Sequence, residues 1–442
     1  MAKTFTERDE YQRKSIAIKL EQLLNTSLDI SPIVIDGSWG TGKTEFSVKL
    51  QNYLLEKNEE RIVVYIDAFK EDHCEDPLLS ITAAIANVLP ALEKDELIKK
   101  AIPAIKFGVK TALKAGAGWV LRQETDKLAD DFQEAIKTAS NAAIDGTIEN
   151  LISEHMEAEL NIKALNDKLK ELAASKKIII IIDELDRCRP TFAVDMLEKI
   201  KHIFDAPNVK FILVANLSQL KAAINHVYGS SVDSQNYLDK FIKFTIRLPN
   251  TFRPDGYESY HTSLSHWNNI VHNNDLTQPI NYELSERIIE ILCIRPLSLR
   301  EVETLHRYVE IYQTVTEMSI GKGKLYVYNL VTFIGIYLYC FSNNRILDDI
   351  SSQSSLKEIA AMLGITKIKV DLQNPYDIPH HHLVFFGLIK DREKEFVNYL
   401  PTTKEELEVL RDITQSLTKN DFRGFNYAAN IISTFEKLSL FK

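Results

Sequence analysis

An eight-residue loop, GSWGTGKT at residues 37–44, restricts the fold of this chain more than any other segment. It fits the pattern G-x-x-x-x-G-K-[ST] at every position, follows the apolar run SPIVID (31–36), and precedes a helix predicted over 43–56. Glycines let consecutive backbone N–H groups turn inward, and the start of the helix adds the positive end of its dipole. This order of strand, loop and helix predicts a site for the phosphates of a nucleotide.

Two side chains of the loop have predicted roles of their own. The ammonium group of Lys43 would reach the β- and γ-phosphates, and the hydroxyl of Thr44 would bind Mg²⁺. The alternative interpretation is a glycine turn with an incidental lysine. We expect ATP and Mg²⁺ as the ligands of this segment. The predicted binding residues are Gly37, Ser38, Trp39, Gly40, Thr41, Gly42, Lys43, Thr44 and Glu45.

The first half of the chain alternates between strand-like and helix-like segments. Besides 31–36, strands are predicted over 61–69, 176–183, 209–216 and 243–249. The five consecutive isoleucines at 178–182 do not alternate with polar residues, which is typical of a central parallel strand covered on both faces. Strands joined by helices predict an α/β fold with a parallel sheet and right-handed crossovers.

Two regions do not fit simple alternation. The segment of about 91–172 is rich in Ala, Leu, Lys and Glu and is too long for an ordinary crossover connection between two strands. We therefore predict a helical insertion there. After Pro249 the strand pattern weakens, and TFRPDG (251–256) has the composition of a hinge. We therefore predict one domain over 1–250 and a second, mainly helical domain over 251–442.

Two adjacent carboxylates follow the isoleucine strand. Asp183 would hold Mg²⁺ through water, and Glu184 would orient and deprotonate the attacking water. Asn216 ends the next strand and would contact the γ-phosphate or that water. The alternative interpretations are a solvated strand end for the carboxylates and a capping role for Asn216.

Several segments, in order, resemble motifs of the KAP family of P-loop NTPases. The segment DELDRCRP (183–190) resembles the family's Walker B signature, and the loop at 37–44 resembles its Trp-containing Walker A. Three outer blocks are also similar, namely 65–77, YLDKF (237–241) leading to Leu248-Pro249, and RPLSLR (295–300). The resemblance covers roughly 30–310. Because the last block matches, the resemblance favours Arg300 as a transition-state arginine over Arg187, Arg189, Arg253 and Arg295.

The resemblance implies an ASCE-type ATPase related to the signalling STAND group. Many family members carry two membrane helices between Walker A and Walker B, and bacterial members are often linked to defence against phages and plasmids. This chain departs from that pattern, because residues 101–121 carry Lys106, Lys110 and Lys114 at four-residue spacing. Charges at mid-span are costly, so we expect no integral membrane span, and a helix that binds a surface or self-associates is the alternative.

Composition and charge argue against several further classes of protein and site. The net charge of −9 argues against a chain that coats nucleic acid, and the four cysteines have no CxxC pair, so disulfides and structural zinc are not expected. The longest uncharged apolar stretch, 325–341, is at the short edge of a membrane span, and we interpret it as a buried helix. We expect a cytoplasmic location, with peripheral membrane contact as the alternative.

These features together predict an Mg²⁺-dependent ATPase that acts as a molecular switch, in bacterial defence. We expect the partner to be a second copy of the chain or a separate effector protein, since no nuclease, protease or deaminase motif lies in 251–442. Two alternatives remain: an ATP-binding scaffold that does not hydrolyse, and a DNA-associated motor of the same superfamily.

Overall fold

The structure, a computed structural model, describes most of the chain in twelve ranges. For residues 106–114, 148–159, 203, 282–283 and 344 it describes the backbone alone. The described residues are 4–57, 61–73, 76–114, 148–204, 206, 208–253, 259–277, 280, 282–317, 319–321, 326–418 and 425–440. They form two compact units, Met1–Pro249 and Asn250–Lys442.

A parallel sheet is the framework of the first unit. Within the described ranges its strands are β1 (Ile33–Asp36), β2 (Ile62–Asp67), β3 (Ile178–Asp183), β4 (Val209–Ala215) and β5 (Phe244–Arg247). Their order across the sheet is β2-β3-β4-β1-β5, and every pairing is parallel. The register places Asp67 opposite Asp183 and Asp36 opposite Ala215. The carboxyl ends of the strands therefore meet at one edge of the sheet.

Helices cover both faces of this sheet. In chain order they are α1 (Lys14–Leu24), α2 (Lys43–Lys57), α3 (Ala68–Glu71), α4 (Pro77–Val88), α5 (Ala91–Lys114), α6 (Ile148–Ser175), α7 (Pro190–Ile203), α8 (Leu217–Tyr228) and α9 (Ser234–Leu238). One core lies between the sheet and α1 and α2. The other lies between the opposite face and α4 to α8. All six residues of β3 are buried, as expected for a strand with a core on each face.

The second unit is mainly helical. It contains the short antiparallel pair β6 (Thr251–Phe252) and β7 (Tyr260–His261). Its helices are α10 (Thr262–His272), α11 (Tyr282–Ile294), α12 (Leu299–Val315), α13 (Tyr326–Phe341), α14 (Asn344–Asp348), α15 (Gln353–Met362), α16 (His380–Ile389), α17 (Lys404–Ser416) and α18 (Tyr427–Leu438). Among the described residues of this unit, one hydrophobic core joins α10 to α18.

The predicted α/β class, the parallel sheet and the helical second half are confirmed. Helix α13 is the predicted apolar segment, and its central residues from Asn329 to Leu338 are buried. No helix in the described part of the chain is both long and apolar enough to cross a membrane. The insertion is helical where α5 and α6 describe it, but 115–147 lie outside the described residues, as do the side chains of Lys106, Lys110 and Lys114.

Candidate functional site

The loop at 37–44 connects β1 to α2 at the carboxyl edge of the sheet. Gly40 and Gly42 have φ of 75° and 79°, a left-handed conformation that glycine adopts without the steric penalty of a side chain. The Nζ atom of Lys43 donates to the carbonyl oxygens of Gly37 at 2.5 Å and Ser38 at 3.1 Å. Burial lowers the pKa of Lys43, and the carboxylates of Asp186, Asp183 and Asp36 oppose that shift. The ammonium group is thus held inside the turn of its own loop.

The side chain of Arg13 forms a hydrogen bond with this loop. Its guanidinium donates to the carbonyl oxygen of Thr41 at 2.8 Å and to that of Pro249 at 3.4 Å, and its side chain is 6% exposed. Burial lowers its pKa. The loop is therefore tied both to the segment before α1 and to the last residue of the first unit.

Asp183 lies at the end of β3 and is 1% exposed. Its Oδ1 accepts from the backbone N–H of Glu184 at 2.8 Å, and its Oδ2 accepts from the hydroxyls of Tyr65 at 2.8 Å and Ser47 at 3.2 Å. Burial raises the pKa of Asp183, and hydrogen bonds from Tyr65 and from the backbone of Glu184 partly offset the shift. A carboxylate has about four acceptor positions, so Asp183 keeps room for one further donor, such as a metal-bound water.

Glu184 follows at once with a φ of 60° and ψ of 25°, a conformation that is uncommon for a residue with a side chain. Its Oε1 accepts from the hydroxyl of Thr44 at 3.3 Å and lies 3.0 Å from the guanidinium of Arg187. Burial raises the pKa of Glu184, and Arg187 opposes the shift. Because Thr44 donates its hydrogen to Glu184, its oxygen keeps lone pairs for a cation.

The turn after β3 places three further charged side chains. Asp186 accepts from the indole Nε1 of Trp39 at 2.7 Å, so the loop and the turn are in direct contact. Arg189 makes an ion pair with Asp72, its Nε lying 3.1 Å from Oδ1. Arg187 and Arg189 are thus engaged by carboxylates within the first unit.

The other predicted residues have local partners or belong to the second unit. Glu45 makes an ion pair with Lys49 at 2.7 Å. Asn216 accepts from the N–H of Ser218 at 3.1 Å and so caps α8, which is the alternative weighed above, and a contact with phosphate stays a prediction. Arg300 is exposed on the first turn of α12 in the second unit, and its role also stays a prediction.

Sequence reasoning missed Arg13, Ser47, Tyr65 and the link from Trp39 to Asp186. Ser47 lies three residues after Thr44, so helical spacing could have pointed to it. Tyr65 pairs with Ile181 in the register, two residues before Asp183, and only the strand order brings it there. Arg13 has no signal in a recognised motif.

The comparison with known families decides the assignment. A family model described as the KAP family P-loop domain matches residues 13–316. This chain belongs to the KAP family.

This KAP protein is also similar to the phage T7 exclusion protein of Escherichia coli K12. The two are 23% identical over 268 residues, which is 57% of this chain and 34% of that protein. The chain therefore spans about a third of that relative's length. A solved structure, of the Aeropyrum pernix ORC2 protein in ADPNP-ADP complexes, aligns with 97% of this chain and 95% of its own at 13% identity and a TM-score of 0.33. Nothing about this chain follows from a score that low.

Membership in the family and the geometry agree on the general chemistry. The KAP domain carries a P-loop, and this loop has the glycines, the lysine and the threonine of the P-loop pattern. In the described part of the chain no group of three or more His, Cys, Asp and Glu side chains forms a metal site. The hydroxyl oxygen of Thr44 is a ligand of the kind that Mg²⁺ usually takes.

Proposed function

We propose that this KAP protein is a Mg²⁺-dependent ATPase whose bound nucleotide switches its conformation. The observation that carries the proposal is the meeting of Thr44 and Glu184 at 3.3 Å. It brings the end of the phosphate loop to the carboxyl end of β3, where Asp183 and Glu184 lie. The oxygen ligands present fit Mg²⁺: the hydroxyl of Thr44 would hold the ion directly, and Asp183 would hold it through water.

Each residue would have a separate task in hydrolysis. The loop N–H groups and Lys43 would bind and orient the phosphates, and a bound Mg²⁺ would supply positive charge that offsets the negative charge of the phosphates. Glu184 accepts the proton of the water that attacks the γ-phosphorus as the bond to the ADP oxygen breaks. Burial favours this role because it raises the pKa of Glu184 and makes the carboxylate a stronger base.

Binding and hydrolysis should separate in two variants. Lys43→Ala removes a charge from the phosphates, so ATP affinity and turnover should fall together. Glu184→Gln keeps the shape but removes the base, so ATP affinity should stay near the parent's while turnover falls about 100-fold or more. The measurements are equilibrium binding of a fluorescent ATP analogue and single-turnover hydrolysis.

Asp183→Asn is the matched variant, since it also replaces a carboxylate by an amide, on the residue before Glu184. It should raise the Mg²⁺ concentration that gives half-maximal turnover, because a metal-holding charge is lost. Turnover of Glu184→Gln at the parental rate would show that Glu184 is not the base. A parent that binds ATP and never hydrolyses it would support the scaffold alternative.

We further propose a role in defence against phages, supported by the similarity to a phage T7 exclusion protein. Bacteria that express the parent chain should plate a susceptible phage with lower efficiency than bacteria that express Lys43→Ala at the same level. Equal plating of every phage in a broad panel, T7 included, would contradict this role without bearing on hydrolysis.

A further inference from the structure

One side-chain hydrogen bond joins two motifs that lie 147 residues apart. The indole Nε1 of Trp39, in the phosphate loop, donates to Oδ2 of Asp186 at 2.7 Å. A bond to a carboxylate at this distance belongs to the stronger class of hydrogen bonds. Phosphate binding by the loop uses backbone N–H groups and Lys43, so it does not require an indole N–H.

Asp186 belongs to the same short turn as Glu184. The turn Leu185–Arg187 is closed by a backbone bond from Arg187 N to Glu184 O at 3.0 Å, and Leu185 is fully buried. Glu184 itself has the left-handed backbone conformation, which a residue with a side chain keeps only where its surroundings hold it. A bond that holds Asp186 therefore also restricts where the carboxylate of Glu184 can lie.

We propose that Trp39 is a positioning residue, which holds Glu184 at the phosphate loop by bonding to Asp186. The proposal rests on the hydrolytic function proposed above. Trp39 is 47% exposed, so its ring is not needed to fill the core. The hydrogen bond to Asp186 accounts for its placement instead. Such a bond matters for turnover, because displacement of a catalytic group by about 1 Å costs on the order of 100-fold in rate.

The arrangement also assigns Asp186 a role other than proton transfer. Its Oδ2 is oriented toward the indole, and the acceptor that the indole needs is an oxygen rather than a charge. Asn supplies such an oxygen, whereas Ala does not. Asp186→Asn should therefore keep most of the turnover that Asp186→Ala loses, while a general base at this position would lose its function in both variants.

The first experiment measures single-turnover hydrolysis and ATP affinity side by side. Trp39→Phe keeps an aromatic ring but removes the N–H, and Asp186→Ala removes the acceptor. Both should lower the rate of hydrolysis about ten-fold or more, the scale of a hydrogen bond to a charged group. ATP affinity should not weaken in either, because the N–H groups and Lys43 remain.

Tyr228→Phe is the matched control. Tyr228 is 45% exposed and its hydroxyl donates to Glu198 at 2.7 Å, so the exposure and the bond length are close to those of Trp39. It ends α8, which begins at the carboxyl edge, and twelve helical residues span about 18 Å. This control should hydrolyse at the parental rate.

The second experiment reports on the bond without hydrolysis. The chain has three tryptophans, so 5-fluorotryptophan labelling gives a small set of ¹⁹F NMR signals, and the one missing in Trp39→Phe belongs to Trp39. That signal should move in Asp186→Ala and move less in Asp186→Asn. It should not move in Tyr228→Phe.

The outcomes separate this proposal from the one on which it rests. Hydrolysis by Trp39→Phe at the rate of an active parent would overturn the positioning role alone. So would an unmoved Trp39 signal in Asp186→Ala, or an Asp186→Asn variant as inactive as Glu184→Gln. A parent that does not hydrolyse ATP would contradict the proposed function and the positioning role with it.

Discussion

At the scale of single residues, burial shifts the pKa values of the acidic and basic groups of the site in opposite directions. It raises the pKa values of Asp183 and Glu184 and lowers that of Lys43, so each group alone is driven toward its neutral form. Opposite charges within the cluster counter this effect, because Asp186 and Asp183 stabilise the ammonium and Arg187 stabilises Glu184. The protonation of the proposed base therefore depends on its ion pair with Arg187.

Arg187→Gln should move the acid side of the pH–rate profile to higher pH. A general base works in its deprotonated form, so turnover falls as the pH falls through its pKa. Arg187 lowers the pKa of Glu184, and without that charge the fall should begin at a higher pH. The measurement is single-turnover hydrolysis across pH 5 to 8, with Arg187→Lys as the control that keeps the charge. A drop by the same factor at every pH would indicate instead that Arg187 acts on the phosphates.

At the scale of elements, the ends of the helical insertion belong to the core of the sheet domain. Leu97 on α5 and Leu165 and Leu169 on α6 are completely buried and lie in the same cluster as Ile180 of β3. These helices cannot be removed without exposing apolar surface that the sheet needs covered. A deletion that tests the insertion should therefore be confined to 115–147 and keep both helices.

In the second unit, helix α16 packs closely against α18 at Gly387. A Cβ atom on Gly387 would overlap the ring of Tyr427 on α18, and that ring is 3% exposed. Gly→Ala inside a helix ordinarily stabilises by about 0.5–1 kcal/mol. At Gly387 overpacking should reverse the sign, and the free energy of unfolding should fall by about 1–3 kcal/mol.

Chemical denaturation of the parent and Gly387→Ala measures this difference. The control is Tyr427→Leu combined with Gly387→Ala, because a smaller side chain makes room for the new methyl group. The double variant should lose less than the sum of the two single losses. A stabilised Gly387→Ala would contradict the close approach.

At the scale of the whole molecule, the chain builds separate cores for its two units. Two clusters, on opposite faces of the sheet, lie within 5–248, and the third lies within 267–438. The third contains α13, the most apolar helix of the unit, together with α16 and α18. Next to this core, His381 is 7% exposed, and burial lowers its pKa to about 3.

The buried histidine should make the second unit sensitive to acid. The pKa of His381 is about 3 when folded and near 6.5 when unfolded, so between these values the unfolded chain binds more protons. Above pH 6.5 His381 is neutral in both states and does not lower the free energy of unfolding. As the pH drops from 6.5 toward 3, the free energy of unfolding falls by about 1.4 kcal/mol per pH unit. His381→Leu should remove this contribution.

Denaturation at pH 7 and pH 5 measures the effect, with the exposed His272→Gln as the control. The parent and the control should lose about 2 kcal/mol more than His381→Leu between these two pH values. An equal loss in all three proteins would show that His381 does not set the acid sensitivity.

The sequence by itself determined the strands, the phosphate loop and the placement of Asp183 and Glu184 at a strand end. These features depend on local patterns, since the glycine positions, the apolar runs and the lysine fall within a few neighbouring residues. The helical insertion and the buried α13 were likewise readable from length and charge.

Only the tertiary structure decided which side chains contact the carboxylates of Asp183 and Asp186. Tyr65 reaches Asp183 across 118 residues and Trp39 reaches Asp186 across 147, and neither pair has a sequence spacing that signals contact. The strand order determines these contacts, because it places β2 beside β3 and brings the carboxyl ends to one edge. Local patterns specify the elements, whereas partners distant in sequence are chosen by how those elements pack.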